Sequence, residues 1–167
     1  TMNSAVHRIT VSVLAQGILA GCLLLATHVH AAAWSVVSAD QVATVLVPPG
    51  EPECVRLAAA DFIRDVQKIT GRTLRLVDAD GSVVLASLDR PESAALLEKL
   101  APGFGDGLKG QWEAYRVQNV GSRLLIAGSD ERGTMFGLYA FIEQYLGVDP
   151  LYFWASRPPP RATLAWD

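Results

Sequence analysis

Ile126-Ala127-Gly128-Ser129-Asp130-Glu131-Arg132-Gly133-Thr134-Met135-Phe136-Gly137-Leu138-Tyr139 carries an apolar run into an amphipathic one through a short polar turn. The apolar side, Arg123 to Ala127, reads as a strand. Ser129 or Asp130 then offers a side-chain oxygen where a helix must satisfy its first free amides. Beyond the turn Met135, Leu138, Tyr139, Ile142 and Leu146 recur at helical spacing, and Gly147 supplies the stop. The reading assigns each polar or small residue a task. Gly128 lets the strand turn, Asp130 accepts amide hydrogen bonds, and Gly133 with Gly137 brings the helix close to a sheet. Arg132 is free to hydrogen-bond backbone carbonyls or a neighbouring domain.

Upstream, Glu113 to Asn119 pairs with Arg123 to Ala127 as a hairpin about Val120-Gly121-Ser122. Ala43 to Val47 is a β-branched strand ended by Pro48-Pro49-Gly50, and Pro52 sits where a helix begins, with Glu51 and Glu53 suited to its positive end. Val55, Ala58, Ala59, Phe62, Val66 and Ile69 form the buried stripe of that helix, and Gly71 closes it. Asp61, Arg64, Asp65 and Lys68 are assigned to solvent. Thr73 to Val77 and Ser82 to Leu88 read as two strands joined tightly through Asp78-Ala79-Asp80-Gly81. Glu92 to Leu100 is a short helix after Pro91, and Pro102 to Gly110 a surface loop. The sum predicts an α+β two-layer sandwich, a mixed sheet of about five strands with helices on one face.

The last helix also carries Phe136, Ala140, Phe141 and Tyr145 off its main stripe, so more than one side needs cover. The aromatic run Tyr152-Phe153-Trp154 is the expected cover. Pro158-Pro159-Pro160 then reads as a stiff connector, and Leu164 with Trp166 as the start of another element.

The first 33 residues read as a targeting segment. His7 and Arg8 precede the apolar stretch Ile9 to Ala26, and Ala31-Ala32-Ala33 offers a small-residue cleavage site. Leu19-Ala20-Gly21-Cys22 offers a rival site of lipoprotein type, in which Cys22 is lipidated and tethers the chain to a membrane. Either route exports the protein to the periplasm or the medium. The expected organisation is signal peptide 1–33, α+β domain 34–156 and linker 157–167.

Removing that segment narrows the chemistry. All three histidines and one of the two cysteines lie in it, leaving Cys54 alone. A Cys/His zinc site and any mechanism with a histidine base are excluded, and no cofactor is expected. With 17 acidic residues against 14 basic ones, the chain gives no reason to expect a nucleic-acid partner.

The quoted segment resembles a strand, Gly-x-x-x-Arg-Gly turn and helix found in N-terminal domains of exo-acting carbohydrate hydrolases, hexosaminidases and α-glucuronidases among them. Leu146-Gly147-Val148-Asp149-Pro150-Leu151-Tyr152-Phe153-Trp154-Ala155-Ser156-Arg157-Pro158-Pro159 is similar to the pattern of glycoside hydrolase family 115, departing from it at Leu151, Phe153 and Ser156. Ala60 to Asp65 and Ile69 to Arg72 look like the first helix of these domains. The resemblance implies a non-catalytic module ahead of a (β/α)₈ barrel, within an enzyme that removes glucuronic acid or its 4-O-methyl ether from xylan. The catalytic residues would belong to that barrel, the partner of this domain in the same polypeptide. The alternatives are the equivalent domain of a hexosaminidase-type enzyme and a free-standing exported binding module.

Within the chain, Asp78 and Asp80 resemble the paired carboxyls of glycoside hydrolysis, but their place beside Gly81 fits a turn better. Asp61 and Asp65 read as a solvated helix face, and Cys54 as a small core residue. Gly128, Asp130, Arg132, Gly133, Gly137, Tyr152, Phe153 and Trp154 are therefore read as a structural motif and an interdomain contact, with no catalytic or metal-binding residue among them.

Overall fold

The computed structural model describes residues 34–149 and 164–166. Strand β1 (Trp34–Val37) leads through a turn into β2 (Thr44–Leu46), helix α1 (Glu53–Thr70), β3 (Arg75–Val77) and β4 (Val83–Ser87). Helix α2 (Pro91–Leu100), β5 (Tyr115–Val120), β6 (Arg123–Gly128) and α3 (Glu131–Phe141) follow. A π-helical turn over Ile142–Leu146 prolongs α3 and is closed by Gly147 at φ 67°. Strand β7 (Leu164–Trp166) returns to pair antiparallel with β1.

Five strands form one mixed sheet in the order β3-β2-β4-β6-β5. All neighbours are parallel except the β5–β6 hairpin, whose turn places Gly121 at φ 59°. The predicted α+β class and five-stranded mixed sheet hold. The distribution of helices differs, because the central strands are buried on both sides. Val83, Leu85, Leu124 and Ile126 point to α1 and α3, whereas the alternating Val84, Ala86, Leu125 and Ala127 point to Leu97 of α2 and Phe104. An unbroken apolar run is what a strand covered on two faces requires. The 101–110 segment joins this second cover through Phe104, its Leu108 is also buried, and Arg116 of β5 fastens it by hydrogen bonds to the carbonyls of Phe104 and Asp106.

The α1 stripe is buried as expected, with Phe62 meeting Phe141 of α3 edge-on at 6.0 Å. Removing a ring in such a place costs about 3–5 kcal/mol. Asp65 is a correction: it is 3% exposed. Three positions beyond Phe62 and four before Ile69, it lies on the same helix line, and Arg64 Nε stands 3.7 Å from its carboxylate.

The expected β3–β4 pairing is replaced by a crossing. Both strands flank β2 and run parallel to it, and the connection 78–82 passes over it. Gly81 lies so close that an added Cβ would stand 2.4 Å from Leu46 Cβ. Ser82 takes up hydrogen bonding with Thr44, accepting its amide at 2.8 Å through Oγ and donating its own amide to Thr44 Oγ1 at 3.1 Å.

Candidate functional site

The Gly128–Gly137 segment is a joint between β6, α3 and the start of β5. Asp130 is the N-cap of α3, and Oδ1 accepts the Gly133 amide at 2.7 Å. Its second oxygen accepts the Glu113 amide at 2.9 Å. Partial burial pushes the Asp130 carboxyl up, but these amide hydrogen bonds prevail and hold it below the usual range. Ser129 completes the joint, donating its amide to the Ala114 carbonyl at 2.8 Å and accepting the Ala114 amide at 3.1 Å.

The glycines serve close approach. Gly128 does not have the positive φ expected of a turning residue. A Cβ on it would stand 2.0 Å from the Thr134 nitrogen and 2.5 Å from the Gly133 carbonyl carbon, so space is what forbids a side chain there. At Gly133 the obstacle is the Ala114 oxygen at 2.4 Å, and at Gly137 it is the side chains of Ile126 and Tyr115 at 3.1 Å. Among the described residues Arg132 meets side chains rather than the backbone carbonyls expected of it. It pairs with Glu113 at 2.7 Å and lies over the Phe136 ring at 5.6 Å. Tyr152, Phe153 and Trp154 lie outside the described residues, as do Cys22 and the rest of the targeting segment.

The other sequence candidates disperse. Asp80 is 94% exposed and reaches Arg123 at 3.6 Å, a surface ion pair. With Asp78 it borders a groove of about 440 Å³ beside α2, whose rim also holds Glu92 and Lys99. Asp61 accepts the Tyr139 hydroxyl at 2.8 Å, linking α1 to α3. Cys54 is partly buried against the main core. Of the most open large apolar residues, Leu76 (57%) lies on the edge strand β3, whereas Trp112 (81%) lies in the loop before β5, the strand at the opposite edge.

A cluster that sequence reading missed lies at the carboxyl ends of the parallel strands. From β2 the chain moves through α1 to β3 on one side; from β4 it moves through α2 to β5 and then β6 on the other. Helix α1 covers one face and α2 the opposite one. The gap beyond β2 and β4 is therefore the topological switch point, where open sheets of this kind hold ligands. Here Glu51 fills it. Its carboxylate, 1% exposed, accepts the Ser87 amide and the Ser87 hydroxyl at 2.7 Å each, and the Ser93 hydroxyl at 2.5 Å. Ser87 Oγ lies 2.9 Å from Thr134 Oγ1, which accepts the Gly128 amide at 3.0 Å. The starts of α2 and α3 are thus tied to the ends of β4 and β6.

Outside this buried core Asp89 and Glu131 flank Arg90, which donates to Glu131 at 3.0 Å. Burial pushes the Asp89 carboxyl up; Arg90 opposes the rise and Glu131 adds to it. All three side chains are more than a third exposed, as in a surface ion-pair network.

The molecule is thus an α+β domain with a mixed open sheet whose switch point is filled from within. No protein-family model and no curated protein sequence matches the chain. Its fold is similar to part of a solved structure, that of a novel family GH115 4-O-methyl-α-glucuronidase with specificity for decorated arabinogalactans. The TM-score is 0.70 at 24% identity, over 80% of this chain and 17% of that one. The chain therefore shares the fold of that part and spans a minor share of that protein's length.

Proposed function

We propose that this chain is a non-catalytic α+β domain of a larger exported α-glucuronidase, placed before the catalytic barrel and packed against it. The observation that carries the reading is the likeness of its fold to one small part of a GH115 glucuronidase. The filled switch point supports a supporting rather than a catalytic role, because the donors that would orient a substrate there are spent on Glu51. The substrate of the whole enzyme is a plant polysaccharide bearing glucuronic acid or its 4-O-methyl ether, with glucuronoxylan the first choice. Decorated arabinogalactan, the substrate class of the structural neighbour, is the second.

The test begins with the native gene product, sized by immunoblot with antiserum to this domain. A band several times larger than 17.9 kDa is expected. The purified full-length protein should release the uronic acid from one of the two polysaccharides, and residues 34–167 alone should release none. A native product no larger than this chain would overturn the proposal and leave a free-standing exported module, to be examined by polysaccharide binding.

A further inference from the structure

We infer that the switch-point crevice is a built carboxylate-binding site whose ligand is the protein's own Glu51. Its donors come from parts of the chain remote from Glu51: the amide and hydroxyl of Ser87 at the end of β4, and the hydroxyl of Ser93 in the first turn of α2. Glu51 Oε1 receives Ser87 N and Ser93 Oγ, and Oε2 receives Ser87 Oγ. A neutral group with a single acceptor oxygen cannot answer all three donors in this arrangement. The carboxylate also sits beside the N-terminus of α2, where an anion is favoured.

The occupant is delivered from outside the donor set. Glu51 follows Pro48-Pro49-Gly50 and precedes Pro52, the N-cap of α1. Its amide closes a turn onto the Pro48 carbonyl at 3.0 Å, and Arg56 donates to its carbonyl. The strap is therefore held by its own backbone contacts, independently of the carboxylate. Removing the side chain leaves the Ser87 amide and the Ser93 hydroxyl buried without Glu51, beside a Ser87 hydroxyl that still has Thr134 Oγ1 at 2.9 Å, and all three remain arranged for a small anion. Complete closure around Glu51 limits the replacement to the size of formate or acetate.

The Glu51→Ala protein tests this by thermal melting in sodium formate and in sodium chloride of equal ionic strength, with wild type as the control for general salt effects. Formate should raise the melting temperature of the variant by about 3 °C or more beyond its effect on wild type, saturably. In Glu51→Ala with Ser93→Ala that excess should shrink, since one donor is gone. Should Glu51→Ala be unfolded in chloride, the readout becomes the return of its native circular dichroism on titration with formate. An excess shift or a formate-dependent return of fold supports the site. Equal responses of variant and wild type, or no return of fold in formate, would overturn it.

Discussion

Gly128 and Gly137 lie on the same joint, yet an added methyl group should have very unequal consequences at the two positions. In Gly128→Ala the new Cβ would meet three backbone groups: Thr134 N at 2.0 Å, the Gly133 carbonyl carbon at 2.5 Å and Asp130 O at 2.6 Å. Ordinary carbon contacts lie near ~3.5 Å or beyond, so β6 and the first turn of α3 must part by roughly an ångström. Backbone cannot rotate aside as a side chain can. Parting breaks the Gly128 N to Thr134 Oγ1 hydrogen bond and loosens the Asp130 cap. A lost cap costs about 1 kcal/mol, a lost buried hydrogen bond about another, and overpacking about 1–3 kcal/mol. The expected destabilisation is therefore about 3–5 kcal/mol, a fall in melting temperature of about 10 °C or more. In Gly137→Ala the contacts are side chains at 3.1–3.2 Å, and Tyr115 is 44% exposed and able to move. The helix propensity gained over glycine, about 1 kcal/mol, offsets the crowding and leaves stability within about 1 kcal/mol of wild type. Both values are read from thermal and urea unfolding. A Gly128→Ala protein that melts within about 2 °C of wild type would refute the claim that space, rather than turn conformation, demands glycine here.

Two further predictions concern ionisation. The Asp130 carboxyl is held below its unfolded value, so its contribution is complete above about pH 4 and is lost as pH falls through the lower folded value. Asp130→Ala should accordingly cost about 1–2 kcal/mol at pH 7 and progressively less at acid pH, as measured by urea unfolding at several pH values. Tyr139, desolvated and donating to Asp61, is pushed up to about 12, so its share of stability is present below about pH 10 and lost through the folded value. Spectrophotometric titration of wild type minus Tyr139→Phe should show this phenol ionising near 12.

The parts of the fold legible in the sequence were those fixed by local chemistry. The stripe from Val55 to Ile69, the αL closure at Gly71 and the cap at Asp130 each depend on residues within a turn or two of one another. What escaped depended on partners far along the chain. Two strands separated by Asp-Ala-Asp-Gly read as neighbours, and only the pairing of each with β2 shows that Gly81 is there to cross Leu46. Strand β1 was missed because Trp34 to Val37 follows directly on the small residues of a cleavage site. Its partner β7 lies at the other end of the sequence. Asp65 was assigned to solvent by its charge, although its spacing from Phe62 and Ile69 already placed it on the buried line.

Glu51 is the sharpest case, because the features that hide it in the sequence also explain its place in the fold. Between Gly50 and Pro52, beside a helix start, a glutamate is sufficiently explained by the helix dipole, and its partner Ser87 lies 36 residues away. The tight crossing at Gly81 passes close over Leu46, at the end of β2, just before the strap that carries Glu51. The strap then turns at Pro48 and directs the carboxylate to the end of β4. A ligand-binding sheet would leave those donors open to solvent and accept some loss of stability for it. Here the same donors bind the chain itself and join the starts of α2 and α3 to two strands. Rigidity at the switch point is the property gained, and it fits the supporting role proposed above.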